Sequence, residues 1–240
     1  MSKKLKILKM KDKSDKFAVD KGLLWDIPFR ILLVMRTGGG KSNFIANMCR
    51  DDFYGKDFKG DNIILVSPLT NDNKMLGLIE MKNIPDENIL TEFDNDIIKA
   101  MYDMRVEEFA ECVENKKKPP NILWIFDDVS WSGNLRKGNF NTINLIFCNG
   151  RKHNQSIILT SQFYNHILPS CRSQANGLVI GNTSDKQLKQ IAEENNYMES
   201  DKLFKQKFRV NVVEKHDYII INYTNKRKDM YLNKDFEPIT

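Results

Sequence analysis

Short apolar runs, separated by segments rich in glycine, proline, asparagine or aspartate, recur along most of the 240-residue chain. Runs of this kind are typical of buried strands, because a strand covered on both faces is apolar at consecutive positions. The pattern predicts five such strands, at residues 30–35, 62–66, 121–126, 156–161 and 178–180.

Apolar residues three or four positions apart predict helices between these strands. One helix is expected over residues 41–50, and a longer one from about residue 94 to a pair of prolines at 119–120. Asn139 is expected to cap a helix that runs to residue 148, and Thr183 or Ser184 to cap another.

Strands and helices that alternate in this way indicate an α/β protein with a mostly parallel central sheet covered by helices on both faces. The pattern at residues 208–213 and 218–223 predicts an antiparallel hairpin added to the sheet near the C-terminus. The chain length fits one domain. We expect a basic tail or edge strand at residues 1–20, a single domain at 21–225 that includes the hairpin, and a C-terminal tail at 226–240.

The hydrophobic fraction of 41% is that of a soluble folded protein. The longest apolar runs span about five residues, far short of the roughly 20 that cross a bilayer. The N-terminus has no apolar signal-peptide core. We therefore expect a soluble protein that stays in the compartment where it is made and has no membrane partner.

The net charge of +5 is concentrated at the N-terminus. Residues 1–16 contain seven lysines and two aspartates, a sum of +5 (7 − 2), so the rest of the chain is formally neutral. A lysine-rich tail suits non-specific contact with phosphate backbones or an acidic partner, but it can equally be a solubilising end.

The first predicted strand leads into a glycine-rich turn and then a helix. Backbone N–H groups of such a turn, together with the helix N-terminus, bind the phosphates of a nucleoside triphosphate. The usual pattern is G-x-x-x-x-G-K-[ST], and Met35 replaces its first glycine. Lys41 is expected to reach the β- and γ-phosphates, and Ser42 to bind Mg²⁺. The predicted ATP-binding residues are Thr37, Gly38, Gly39, Gly40, Lys41 and Ser42.

Two acidic residues and a glutamine follow later strands. Asp127 and Asp128 come directly after the strand at 121–126, and Gln162 ends the one at 156–161. Carboxylates at the end of a neighbouring strand can hold Mg²⁺ and activate water, and an amide there can orient that water. Asp127 is predicted to bind the metal, and Asp128 and Gln162 to be catalytic.

Transfer of the γ-phosphoryl group also requires a further cation, which is often an arginine from the next subunit of a ring. Three arginines are candidates: Arg136, Arg151 and Arg172. Any of them can instead be an ordinary solvated surface residue.

Three segments together resemble the FtsK-HerA superfamily of ring-shaped DNA-pumping ATPases, and more closely the poxvirus-type genome-packaging ATPases of large DNA viruses and virophages. The segments are TGGGKS at 37–42, ILWIFDDVS at 122–130 and GRKHNQSIILTSQFYNHILPSCRSQAN at 150–176. The resemblance implies a RecA-like P-loop NTPase fold, with Arg151 as the preferred arginine acting across a subunit interface. This chain departs from the family's pattern at two positions. Met35 stands where the first loop glycine is usual, and Asp128 stands where many members have glutamate.

This resemblance implies ATP hydrolysis with Mg²⁺ that drives double-stranded DNA into a viral capsid, in the virion or a viral factory in the host cytoplasm. The implied partners are DNA without sequence preference, further copies of the chain in a homo-oligomeric ring, and a capsid protein. Three alternatives stay open: a cellular or plasmid-encoded DNA pump, a non-hydrolysing nucleotide-binding scaffold, and a small-molecule kinase.

Overall fold

A computed structural model describes residues 16–68, 72–129 and 141–239. The lysine-rich segment 1–15, Arg136 and Asn139 lie outside the described residues. Eight strands form one sheet: β1 (Arg30–Val34), β2 (Ile63–Val66), β3 (Ile89–Leu90), β4 (Ile122–Phe126), β5 (Gln155–Ser161), β6 (Gly177–Gly181), β7 (Tyr218–Asn222) and β8 (Tyr231–Leu232). The α-helices of the described residues are α1 (Lys41–Met48), α2 (Asn73–Lys82), α3 (Asn95–Glu114), α4 (Thr142–Asn149), α5 (Pro169–Gln174), α6 (Asp185–Asn195) and α7 (Asp201–Asn211).

The sheet has the strand order β3-β2-β4-β5-β1-β6-β7-β8. The six strands from β3 to β6 are parallel to their neighbours, whereas β7 and β8 add on as antiparallel strands. The predicted fold class is therefore confirmed. Strand β8 lies in the range predicted as a C-terminal tail, and it joins the sheet through β7.

Side chains on the two faces of the sheet belong to two separate apolar cores. Along β1, Leu32 and Val34 point into one core, and Ile31 and Leu33 into the other. This alternation is what a strand buried on both faces requires. Helices α3, α4, α6 and α7 contribute to the first core, and α1, α2 and the segment that precedes β1 contribute to the second.

Helix α2 and strand β3 are among the elements that escaped the sequence prediction, because their apolar signals are weak. Helix α2 buries only Met75 and Leu78 and has a glycine, Gly77, in its interior, where glycine disfavours helix. Strand β3 has only two residues, which is too short for a period to be visible.

The prediction of a strand at residues 208–213 is wrong, because most of this segment lies in α7. Ser200 caps the helix by accepting a hydrogen bond from the backbone N–H of Leu203. Phe204 and Phe208, one turn apart, are both buried. Apolar residues at a spacing of four are a helical pattern. The antiparallel hairpin is formed instead by β7 and β8, with Ile220 opposite Leu232.

The helix caps agree in part with the prediction. Ser184 caps α6 through a hydrogen bond from the backbone N–H of Gln187. Asn141 caps α4, with Oδ1 accepting from the N–H of Ile143 at 2.9 Å. The capping residue of α4 is thus Asn141 rather than the predicted Asn139.

Among the α-helices of residues 16–68, 72–129 and 141–239, none combines the length and the hydropathy that a membrane-spanning helix needs.

Candidate active site

Strand order brings together the ends of three strands that are far apart in sequence. Strand β5 pairs with β1 on one side and with β4 on the other, in parallel. The carboxyl ends of these strands therefore lie at one edge of the sheet, the usual place of ligand sites in α/β proteins. The glycine turn after β1, the aspartates after β4 and Gln162 after β5 meet there.

The glycine turn has the backbone shape that its sequence predicts. Gly38 has a φ of 71° and Gly40 a φ of 104°, a region that residues with a Cβ rarely adopt. Gly40 is also the N-cap of α1, so the turn opens directly onto the unpaired N–H groups of that helix. Lys41 and Ser42 are the first two residues of α1.

Met35, which replaces the first glycine of the usual pattern, is a core residue. Its side chain is fully buried on the face that also receives α1. A Cβ built on Gly181, at the end of β6, would lie 2.8 Å from the Cβ of Met35. The methionine thus occupies space that Gly181 leaves free, and the turn after it keeps its glycines.

Asp127 is buried at the end of β4, with 3% of its surface exposed. Its Oδ1 accepts a hydrogen bond of 2.8 Å from the hydroxyl of Thr160 on β5. Burial raises the pKa of Asp127 to about 6, and the charge of Asp128 adds to this rise, while the Thr160 hydrogen bond and Lys41 oppose it. A nearby cation favours the ionised form of such a carboxylate.

Asp128 faces Lys41 across the site. The Nζ of Lys41 lies 3.6 Å from Oδ2 of Asp128 and 3.4 Å from the carbonyl oxygen of Met35. Asp128 has a φ of 51°, which is uncommon for a residue other than glycine. Its backbone N–H donates to the hydroxyl of Thr160 at 2.9 Å. Backbone conformations of this type concentrate at functional sites.

Gln162 completes the group. Its Nε2 donates to Oδ2 of Asp128 at 3.3 Å, the same oxygen that faces Lys41. A carboxylate, an ammonium and an amide are therefore in contact at the mouth of the glycine turn. The roles predicted for these side chains in catalysis and metal binding stay predictions.

Arg151 lies at the edge of the sheet formed by the amino ends of these strands, opposite to the edge that carries the site. It belongs to a 3₁₀ turn at Gly150–His153 that precedes β5, whereas Gln162 follows β5. A strand of seven residues is roughly 20 Å long. Arg151 is also close enough to Arg30, the first residue of β1, for its charge to add to the effect of burial in lowering the pKa of Arg30. Arg151 therefore does not join Lys41 and Asp128 of its own chain.

Arg172 makes contacts within its own chain. Its Nε and Nη2 donate to the two carboxylate oxygens of Glu194 at 2.9 and 3.1 Å, and Nη1 donates to the carbonyl of Ile167. Its guanidinium also lies over the ring of Tyr164, 5.0 Å from the centroid. Through these contacts Arg172 holds α5 against α6. The third candidate, Arg136, lies outside the described residues.

Sequence reasoning missed Thr160, which touches both aspartates. Its hydroxyl donates to Asp127 and accepts from the N–H of Asp128. A threonine in an apolar strand is ordinary in sequence, since threonine favours strands. The usable signal was its position two residues before Gln162, on a strand that ends at the same edge.

Comparison with protein families gives a match over residues 15–233 to the poxvirus A32 protein. The match spans most of the chain, including the glycine turn, both aspartates and Gln162. The chain belongs to the poxvirus A32 family. The A32 proteins are viral packaging ATPases, so the predicted enzyme class, an ATPase, is confirmed. No curated protein matches the chain significantly.

Solved structures support the fold of this A32 family member. The genome-packaging NTPase B204 of Sulfolobus turreted icosahedral virus 2, in complex with AMPPCP, matches with a TM-score of 0.56 at 14% identity, over 82% of this chain and 93% of that one. The conjugation coupling protein TcpA of pCW3, with ATPgS, matches with a TM-score of 0.52 at 12% identity, over 90% of this chain and 67% of that one. At such identities the likeness concerns the fold alone.

Proposed function

We propose that this A32 family member hydrolyses ATP with Mg²⁺ and uses the energy to move double-stranded DNA into a viral capsid, as a homo-oligomeric ring of single-domain subunits. The observation that carries the proposal is the contact of Lys41, Asp128 and Gln162 beside the buried Asp127, at the mouth of the glycine turn. The packaging role rests on the family and on B204, which is described as a genome-packaging NTPase.

The residues present suit a magnesium-bound triphosphate. Ser42 and Asp127 offer the hard oxygen ligands that Mg²⁺ prefers, and such sites usually take their remaining ligands from phosphate and water. Bound Mg²⁺ would neutralise charge on the phosphate oxygens. The backbone N–H groups of the turn at Gly38–Gly40 and the ammonium of Lys41 would hold the phosphates.

Asp128 is proposed to orient the attacking water and accept its proton. The water oxygen forms a bond to the γ-phosphorus while the bond to the β–γ bridging oxygen breaks, which yields ADP and phosphate. Gln162, held against Oδ2 of Asp128, would align the same water. Arg151 would act on the site of a neighbouring subunit, because within its own subunit it lies at the edge of the sheet opposite to the site.

The test is ATP hydrolysis measured with and without duplex DNA, together with the mass of the assembly in solution. We expect turnover that DNA stimulates, from a ring-sized particle. Lys41→Ala and Asp128→Asn should both abolish turnover. Gln162→Ala should lower kcat and leave the affinity for ATP unchanged.

The alternatives give different results in the same assay. A scaffold would bind ATP without turnover and keep its function in Asp128→Asn. A kinase would transfer phosphate to a metabolite and show no response to DNA. A plasmid-type pump shares the DNA response, and packaging of DNA into capsids would distinguish it from the proposed motor.

A further inference from the structure

The turn that follows β5 carries Gln162 to the candidate site and then runs into the core. Gln162 is half-buried, and its Nε2 donates to Oδ2 of Asp128 at 3.3 Å. Tyr164, two positions later, begins a 3₁₀ turn and has 1% of its surface exposed. Because a single residue separates the two side chains, the placement of Tyr164 limits where the amide of Gln162 can lie.

Hydrogen bonds hold the backbone of this turn around Gln162. The hydroxyl of Ser161 accepts from the N–H of Phe163 at 3.2 Å and donates to the carbonyl of Phe163 at 2.8 Å. The N–H of Tyr164 donates to Oε1 of Gln187 on α6 at 2.8 Å. A side chain of α6 therefore fixes the backbone just after the glutamine of the candidate site.

The side chain of Tyr164 is held by an acceptor and a donor of α6. Its hydroxyl donates to Oε2 of Glu194 at 2.9 Å and accepts from Nδ2 of Asn195 at 2.8 Å. Burial is the largest cause that raises the pKa of Tyr164 above its usual value, so the hydroxyl keeps its proton and stays a donor. Two partners of opposite kind fix the orientation of the ring.

The partners of this hydroxyl belong to a polar network that reaches the C-terminal strands. Glu194 also binds the guanidinium of Arg172, through both of its carboxylate oxygens. Oδ1 of Asn195 accepts from the hydroxyl of Tyr223, just after β7, and the carbonyl of Asn195 accepts from the hydroxyl of Tyr231 in β8 at 3.2 Å. The turn after β5 is thus tied to α6 and to the antiparallel part of the sheet.

We propose that Tyr164 is a positioning residue for the hydrolysis of ATP, and that it holds Gln162 where its amide meets Asp128. The inference rests on the proposed function, because it takes Gln162 as the residue that aligns the attacking water. Tyr164 acts through Gln162, from the core side of the turn, and the contact of its N–H with Gln187 serves the same purpose.

The length of the contact between Gln162 and Asp128 makes it sensitive to the turn. At 3.3 Å it lies just beyond the usual range of N–H···O hydrogen bonds, about 2.7–3.2 Å, so a small shift of the backbone would break it. A misplacement of about 1 Å in a catalytic site can cost on the order of 100-fold in rate. A phenylalanine ring would fill the same space as Tyr164, so the hydroxyl adds orientation rather than volume.

Tyr164→Phe keeps the ring and removes the hydroxyl. Glu194 then keeps its hydrogen bonds with Arg172. Nδ2 of Asn195 keeps its hydrogen bond of 2.9 Å to the carbonyl of Ile191, so neither former partner is left unsatisfied. In the full-length chain we expect the single-turnover rate of ATP hydrolysis to fall by about tenfold, while the affinity for ATP stays within about twofold.

Tyr231→Phe is the matched control, since it removes a hydroxyl from the same network. This hydroxyl bonds to the backbone of Asn195 and Tyr197, at the end of α6. We expect the variant to lose stability but to hydrolyse ATP at the unmodified rate. Thermal unfolding and the mass of the assembly, measured for every variant, establish that each is folded and assembled.

Combination with Gln162→Ala separates positioning from a purely structural role. In a chain that already lacks the glutamine side chain, Tyr164→Phe should change the rate by less than about twofold, because the residue through which it acts is gone. A hydroxyl that serves only the stability of the fold would give the same factor with and without Gln162. Gln187→Ala, which removes the acceptor of the Tyr164 N–H from a half-buried position, should show the same pattern and decides the matter if Tyr164→Phe does not fold.

Four results would overturn the inference. Tyr164→Phe could hydrolyse ATP at the unmodified rate, or lose the same factor in the Gln162→Ala chain. Tyr231→Phe could be as slow as Tyr164→Phe, or Gln162→Ala alone could leave the rate unchanged. All four leave ATP hydrolysis in place. The proposed function fails instead if Lys41→Ala and Asp128→Asn leave hydrolysis intact or if the unmodified chain does not hydrolyse ATP, and the latter result would remove the inference as well.

Discussion

The hydroxyl of Thr160 donates a hydrogen bond of 2.8 Å to Oδ1 of Asp127, across the pair of strands β5 and β4. The hydroxyl oxygen of Thr160 in turn accepts a hydrogen bond from the backbone N–H of Asp128. One side chain of β5 thereby positions both acidic residues that follow β4. The geometry of the candidate site depends on this strand pairing as much as on the aspartates.

Thr160→Val, which keeps the shape of the side chain and removes its hydroxyl, should lower the rate of ATP hydrolysis by about 10- to 100-fold. It removes a donor to Asp127 and leaves the N–H of Asp128 without its acceptor. Thr160→Ser keeps the hydroxyl and should stay close to the unmodified rate. Equal rates for the valine and serine variants would show that the hydroxyl does not position the aspartates.

Asp127→Asn should change how stability depends on pH in the absence of nucleotide and Mg²⁺. Burial raises the pKa of Asp127 to about 6, so between pH 4 and 6 the folded protein holds a proton that the unfolded chain has released. The contribution of this group to the free energy of unfolding is therefore full below pH 4 and falls as pH rises to 6, by about 1–3 kcal/mol. The asparagine variant lacks this fall.

Urea unfolding at pH 4, 5, 6 and 7 measures the effect. The asparagine side chain can still accept the hydrogen bond from Thr160, so the variant should gain stability over the unmodified chain as pH rises. Asp86→Asn, at an exposed position of a 3₁₀ turn, is the control. If the two variants show the same pH dependence, burial does not destabilise the ionised Asp127.

Gly181→Ala should destabilise the protein by about 1–3 kcal/mol, because the added Cβ would lie 2.8 Å from the Cβ of Met35. Met35→Gly restores the glycine of the usual pattern, and should itself cost about 2–5 kcal/mol through the cavity that it leaves. The double variant should lose less free energy of unfolding than the two single variants lose in sum, by about 1–2 kcal/mol. Denaturant unfolding of the four proteins measures this coupling, and additive effects would mean that the two residues do not compete for space.

Arg151→Ala should reduce hydrolysis by about 10³- to 10⁵-fold if the arginine completes the site of a neighbouring subunit. The reason is that Arg151 lies at the edge of the sheet away from its own Lys41. Mixing Arg151→Ala with Lys41→Ala subunits should recover part of the activity, since some interfaces then pair an intact arginine with an intact site. A mixture as inactive as each parent would contradict a role across the interface.

The sequence by itself determined the elements whose signals are local. Five buried strands, the glycine turn and the acidic pair after β4 could be read directly, because consecutive apolar residues, glycines and a lysine-serine pair act within a few positions. Because each of them follows the carboxyl end of a predicted parallel strand, Lys41, Asp127 and Gln162 were also expected at one edge of the sheet. Phe208 shows the limit, since it was predicted to begin a strand, whereas its spacing of four from Phe204 places both residues in α7.

Only the tertiary structure decided which distant residues touch. The pairing of β5 between β1 and β4 placed Thr160 against both aspartates, and the antiparallel entry of β7 placed Lys215 and His216 over the glycine turn. Neither contact has a sequence pattern, because strand order and direction follow from how the whole sheet buries its two apolar faces. The same packing put Met35 against Gly181 and Arg151 at the far edge, which no local property of those residues predicts.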